Sequence, residues 1–527
     1  MASRTARTRR RSPRRTRHTT SLAGWIGRIS PAGWIALGAC GVALVLALQT
    51  LQGQGGGEYD EGVYWQSLRA MANGHPLFSE VFSSQPPLFL LSIYPFYMLF
   101  GQSLEAARLA LLCFSLVGIA GAYVAGRALG HRLIGAVAAL LLALDPLYEH
   151  GAHTLQAELP SVALQLCAVA CAVQAMRASG RRRGWLAAGA GALLGAALMV
   201  KLFAVAALLP VVLYLTLPLA QRWLAPDGKL RQPAWPEIQD GLRQIAPGLG
   251  LMFAGMFGVI VLVLLPFVGQ LGAVYDQVVR FHLAAARADT HSLRYNVQFI
   301  AQTLVAAPLI YAGALATVVV VWRRMWVSLP LLLWTLASFV VLVRQQPLFA
   351  HHVILLSPSL ALVAGCGACA VSSVLAMSDK RLAQVAVALA LVLVAGAGLI
   401  LNWKQNAAAN APIPVRTLKM ALALQGVSAP QEIVLTDDQY LAALANRDVP
   451  PPFVDTSAVR ITSGYLTTTQ LEDYITHNRV HVILFASGRF DLLHGFRAWV
   501  AARYSRVATF EHGGALYVLE PSSNPPV

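Results

Sequence analysis

Eleven stretches of this chain stay apolar for close to a helical membrane crossing: 32–51, 105–127, 132–148, 155–176, 185–200, 202–221, 245–268, 297–322, 326–343, 351–376 and 382–402. A helix rises about 1.5 Å per residue, so roughly 20 residues cross the ~30 Å hydrocarbon layer. A soluble chain of 527 residues would divide into several domains with charged surfaces, but here 57% of residues are hydrophobic and only 12% charged. The pattern predicts a mainly α, polytopic membrane protein with about eleven transmembrane helices.

One further apolar run, "PPLFLLSIYPFYMLFG" at 86–101, is short and contains three prolines. Loop charge decides its placement. If 86–101 lies along the surface, the basic turns at Arg127/Arg132, 177–183, 222–243, 323–324 and 380–381 share a side with the N-terminus. The positive-inside rule makes that side cytoplasmic. The run is therefore expected to be a juxtamembrane helix, with residues 52–104 as the first external loop and 403–527 outside the cell membrane. Residues 1–31 form a basic cytoplasmic tail without fixed structure, with eight arginines and no acid before residue 18. Its place before a membrane span suits anchoring against anionic lipid rather than a nucleic-acid arm. The first apolar run is long and lacks a clear cleavage site, unlike a secretory signal.

The six cysteines all sit in apolar runs, "CGAC" at 366–369 included, so neither zinc binding nor disulfides are expected of them. After residue 402 the pattern changes. Short strand-like runs at 432–438, 480–486, 506–512 and 515–521 alternate with helical ones at 468–478 and 490–504. These predict a small α/β domain over 403–527, joined by a linker at 406–415.

Adjacent carboxylates, Asp60 and Glu61 in "GEYDEGVYWQSL" (57–68), follow the first span. They suit a solvated first helical turn, where acids favour the dipole. Equally, a carboxylate at the membrane boundary can take a proton from a hydroxyl. On a helix, Tyr64 would share the face of Asp60. A second acidic cluster, "ALDPLYEHGAHTLQAELPS" (143–161), holds Asp145, Glu149, His150, His153 and Glu158, with Glu158 inside an apolar span. An unpaired charge there costs about 2.5–3.5 kcal/mol, so it needs a partner or a task. Two acidic sites on one face could activate and orient an acceptor, or hold a divalent cation. No motif demands any other cofactor. Cations for an anionic partner are offered by Lys201, Arg280, His282, Arg287, Arg294, Arg344, His351 and His352.

"DEGVYW", then "SSQPPLFLL" and "LFGQSLEAARLAL", then "QAELP" and "AHHVILLSPSLALVAG" together resemble the polyprenyl-phosphate-sugar glycosyltransferases of the GT-C fold, over about 30–400. Their kin include protein O-mannosyltransferases and lipid A aminoarabinose transferases. The resemblance implies a polyprenyl-phosphate-linked sugar as donor, a lipid, protein or polysaccharide acceptor, and inverting transfer on the outer face. By position Asp60 would be the catalytic base, Glu61 its acidic neighbour and Glu158 the second acid, with Tyr64 in the donor pocket. Aminoarabinose transferases carry a lysine before the two prolines, where this chain has Gln85. The donor phosphate would then depend on Lys201 or Arg280, with His351 and His352 nearby. The tail resembles accessory domains and is given no catalytic part. The alternative is a transporter or flippase for a lipid or sugar, whose ionisable residues would gather near the midplane on paired, interrupted helices.

Overall fold

The computed structural model describes residues 30–51, 53, 58–223, 234–378, 380–430 and 432–520. The basic tail expected over 1–31 lies outside these, apart from its last two positions, as does 224–233 of the basic turn at 222–243. Among the described residues, nine helices are long and apolar enough to cross a membrane, or eleven if each of two bent pairs counts as one span.

In chain order the first helices are α1 (Pro31–Thr50), α2 (Tyr59–Ala72), α3 (Leu88–Leu99) and α4 (Leu104–Leu129). At 12 residues α3 rises about 18 Å, too short to cross ~30 Å of hydrocarbon. The span expected at 132–148 is broken into α5 (Arg132–Ala143) and α6 (Pro146–His153), bent by 62° where Pro146 begins a new helix. Next come α7 (Glu158–Arg177), α8 (Gly180–Val200), a 3-10 turn at Leu202–Ala207 and α9 (Leu208–Trp223). Helix α10 (Trp235–Leu264) continues through short turns into α11 (Phe281–Ala288).

The stretch 297–322, expected as one span, is instead α12 (Leu293–Val305) and α13 (Pro308–Trp322), which meet at 102° with Pro308 at the new start. The bundle closes with α14 (Leu329–Arg344), α15 (Ser357–Ser378) and α16 (Lys380–Ala409). The boundary expected at 403 falls inside α16. Helix α15 and the turn before it are almost wholly buried, while α10 and α16 expose apolar chains outward. Small residues let α8 and α10 pack backbone to backbone. A Cβ built on Gly191 would lie 1.8 Å from the Met252 carbonyl oxygen.

The tail holds a four-stranded sheet in the order β1 (Val434–Thr436), β2 (Val482–Phe485), β4 (Ala515–Val518), β3 (Ser505–Thr509). The β1–β2 pair is parallel and the other two pairs are antiparallel. One face of the sheet, with Leu435 and Ile483, joins Phe490 and Phe496 in an apolar cluster of its own, while the other face, with Val434, Val482, Leu484 and Leu516, belongs to the cluster of the bundle. The helix expected at 468–478 forms as Thr468–Asn478, started by a Thr467–Gln470 capping box. That expected at 490–504 is reduced to Phe496–Ala501 after a 3-10 turn.

What positions the site is the seat of this tail on α2. Gly62 packs against the backbone of Tyr440, where a Cβ would come within 2.3 Å of the Tyr440 nitrogen. Gln66 donates to the Arg447 carbonyl at 2.9 Å, and Arg69 Nε meets Asp448 at 2.6 Å.

Candidate active site

Successive residues on a helix point about 100° apart, and the two acids at the start of α2 accordingly part company. Asp60 faces a cavity of about 460 Å³. Glu61 turns into the bundle, 1% exposed, and Arg108 grips both its oxygens at 2.8 and 2.7 Å. The Leu155 N–H donates to Glu61 at 3.0 Å, and Arg108 also donates to the carbonyls of Leu51 and Gly53. Glu61 is thus a clasp joining the end of α1, α2, α4 and the turn before α7, and it does not line the cavity.

Glu158 is the first residue of α7, and Lys201 lies where α8 gives way to extended backbone. Their charges meet at 2.7 Å. This is the partner that a carboxylate inside an apolar stretch demands. His352 Nε2 lies 3.5 Å and His351 Nε2 3.8 Å from the same Glu158 oxygen, and His351 is 3.9 Å from Asp60. His351 therefore stands between the two acids that the sequence places almost a hundred residues apart. The remaining side of His351 contacts Gln156 at 3.3 Å, and Gln156 also donates to Glu58 at 2.5 Å. Glu58 pairs in turn with His150 at 2.9 Å.

Tyr64 lines the cavity on the Asp60 face, held edge-on against Phe89 at 4.8 Å, and Gln85, Lys201, His282, His351 and His352 line it too. Arg280 does not. It is 64% exposed and pairs with Asp276 at 3.0 Å, one turn away on its own helix, so the structure does not bring it to the phosphate role expected of it. Asp145 is also diverted, bonding Ser357 at 2.5 Å, while Glu149 meets His153 at 3.4 Å inside the bundle.

Against expectation, the tail supplies one wall through Asp455, Ser457, Val459 and Arg489. Tyr59 ties that wall to α2. Its hydroxyl accepts from the Thr456 N–H at 2.7 Å and donates to Asp455 at 3.3 Å, and the Arg489 guanidinium stacks 3.7 Å from its ring. No local pattern marks these tail residues, because they reach the site only through tertiary docking. Glu58 and Gln156 stand beside recognised motifs and carried a weak signal of that kind.

Burial pushes the Asp60 carboxyl above the usual aspartate range, with the Asp455 and Glu158 charges adding and His351 and Lys201 opposing. The side chain is 41% accessible, but its open face looks into the cavity. For Glu58 burial acts upward too, yet the His150 hydrogen bond and charge, with the His351 charge and the Gln156 hydrogen bond, together hold the carboxyl below its ordinary value.

A second, apolar cavity of about 200 Å³ adjoins the first and shares Gln85, Lys201 and His282 with it. Its other walls include Leu202, Val205, Val278 and Val341. Donor atoms of Glu158, His351 and His352 lie within 4.8 Å of one another, a carboxylate–imidazole set suited to a divalent cation. The Lys201 ammonium already occupies the Glu158 oxygen, so ion and ammonium would displace one another.

The family described as dolichyl-phosphate-mannose-protein mannosyltransferase matches residues 84–229, a stretch containing Gln85, Glu158 and Lys201 but not Asp60. Comparison with curated proteins finds no match. Among solved structures, apo ArnT from Cupriavidus metallidurans superimposes with a TM-score of 0.64 at 16% identity, covering 94% of this chain and 99% of that one. The same protein bound to undecaprenyl phosphate gives 0.61 at 16% identity, over 94% and 100% of the two chains. The archaeal oligosaccharyltransferase AglB from Archaeoglobus fulgidus, in complex with an inhibitory peptide and a dolichol-phosphate, gives 0.57 at 12% identity, over 94% and 75%. The class is a multi-pass membrane protein with a polar cavity at the seam between bundle and tail. Its fold is GT-C.

Proposed function

We propose that this protein is a membrane glycosyltransferase that moves a sugar from a polyprenyl-phosphate donor to a hydroxyl acceptor on the extracytoplasmic face, with inversion. The observation that carries this reading is one cavity in which Asp60, Glu158, Lys201, His351 and His352 converge beside an apolar side chamber. The fold likeness to ArnT, solved with undecaprenyl phosphate, and the family match over 84–229 support it. So does the basic charge of the turns on the side assigned to the N-terminus.

In the proposed reaction the acceptor oxygen attacks the anomeric carbon as its proton passes to the Asp60 carboxylate. The bond from that carbon to the phosphate oxygen breaks, and its electron pair leaves with the polyprenyl phosphate. The raised proton affinity of Asp60 makes it a better base than a solvated aspartate. The side chamber suits the first isoprene units, which sets the phosphate near Gln85, His282 and Lys201. Charge developing on the leaving phosphate is met there by positioned donors in a site shielded from water. Glu158 positions Lys201, and Glu61 positions α2. The three-residue cation set stands as an alternative way of supplying positive charge at the same place.

The test is purified protein with a panel of polyprenyl-phosphate sugars, read first as protection from thermal unfolding and then as transfer. Asp60→Asn should keep donor protection while losing transfer. Near-normal turnover by that variant would remove Asp60 from the mechanism, and lipid movement without transfer would favour a transporter.

A further inference from the structure

The cavity has two ends of different character. At one, Gln85, Lys201 and His282 are shared with the apolar chamber, whose Leu202 and Val205 are exposed on a candidate membrane span. A lipid-linked phosphate belongs at that end. The other end is the tail wall, with Asp455, Ser457 and Arg489, none of which touches the chamber. Asp60 feels the charges of both ends, Lys201 and Glu158 from one and Asp455 from the other. In-line displacement needs the acceptor on the side of the sugar away from the leaving phosphate, and the tail wall is the part of the lining that the chamber does not share.

Arg489 is the permanent cation on that wall, and it is held as a binding group would be. Its guanidinium plane lies on Tyr59, and Nη1 donates to the Asp437 carbonyl at 3.2 Å. Its Nε and Nη2 have neither a hydrogen-bond nor an ion-pair partner among the described residues, although Asp455 and Glu58 line the same cavity. Lys201, by contrast, is already neutralised by Glu158 at 2.7 Å. An arginine fixed along one edge and open along Nε/Nη2 presents the parallel pair of donors that fits two oxygens of a phosphate or carboxylate.

We propose that Arg489 is an acceptor-recognition residue, and that the acceptor carries an oxyanion, phosphate or carboxylate, close to the hydroxyl that receives the sugar. This rests on the transferase reading above and adds to it the chemical class of the acceptor.

The test uses the full chain in zwitterionic lipid nanodiscs, saturated with undecaprenyl phosphate to fill the donor end, then titrated with inorganic phosphate at constant ionic strength. The expected result is a second rise in melting temperature in the wild type. Arg489→Gln should weaken that phosphate response at least tenfold, in keeping with loss of a charge-assisted pair, while keeping the undecaprenyl phosphate response. Arg489→Lys should retain part of it. A merely structural arginine would lower the starting melting temperature and leave the phosphate titration unchanged, which overturns the proposal. So does a wild type with no second rise. If undecaprenyl phosphate itself fails to stabilise the wild type, the donor reading falls, a result separable from the Arg489 comparison. Repeating the titration in phosphatidylglycerol discs distinguishes the source: a lipid headgroup would already occupy the site and abolish the increment, whereas a soluble acceptor leaves it intact.

Discussion

Asp60 and Glu61 are neighbours in sequence with opposite fates, and their variants should differ accordingly. Asp60→Asn removes the proposed base and should cut transfer by about 10²–10⁴-fold, measured as product formed at saturating donor. Because the folded chain binds the Asp60 proton more tightly than the unfolded chain, ionising this group costs stability as pH rises from the unfolded value through the folded one. Asp60→Asn should therefore melt no lower than wild type at neutral pH. The proposed catalysis has the opposite sign: it needs the carboxylate, so activity should fall as pH drops through a pKa above the ordinary aspartate value of about 3.9, seen as a raised acid limb in the rate profile. Glu61→Ala leaves Arg108 buried and unpaired, which should cost about 3–5 kcal/mol in chemical denaturation. Its activity loss should be shared by Arg108→Ala and should not deepen when the two are combined. The sequence made both acids visible as a pair. Which of them reaches the cavity depends on where Arg108 lies, 47 residues on in another helix.

At the level of elements, the apolar runs were legible because hydrocarbon thickness sets their length, and most bounds fall within a few residues of the pattern. The breaks were less legible. Pro146 and Pro308 sit inside continuous apolar stretches, and a proline that starts a helix looks locally like one that merely bends it. Helix α2 shows the other limit. Its amphipathic start is readable, but its outer face is covered by the tail, whose contacts with it span nearly 400 positions. That seat is sterically exacting at Gly62, so Gly62→Val should loosen it by about 1–3 kcal/mol through overpacking. Faster amide exchange in both α2 and 439–444, together with reduced transfer, is the expected signature. Faster exchange in the tail alone would mean that α2 holds its place without it.

On the scale of the whole molecule, the proposed roles give lipid and acceptor different approaches to one cavity. Val278→Trp should fill the 200 Å³ chamber, weakening the thermal protection given by undecaprenyl phosphate while sparing that given by inorganic phosphate at the tail wall. Equal protection of wild type and Val278→Trp by undecaprenyl phosphate would place the isoprene chain elsewhere. The site also has an order of manufacture. Segments before residue 202 supply Asp60, Glu158 and Lys201, yet Asp455 and Arg489 leave the ribosome more than 250 residues later. Since chains fold from the N-terminus as they are made, at about 5–20 residues per second, the half-built protein spends many seconds in the bilayer with its chemistry uncovered and one wall missing. A nascent chain stalled before residue 455 should be inert toward acceptor, so in the proposed reading the reaction waits on synthesis of the tail wall.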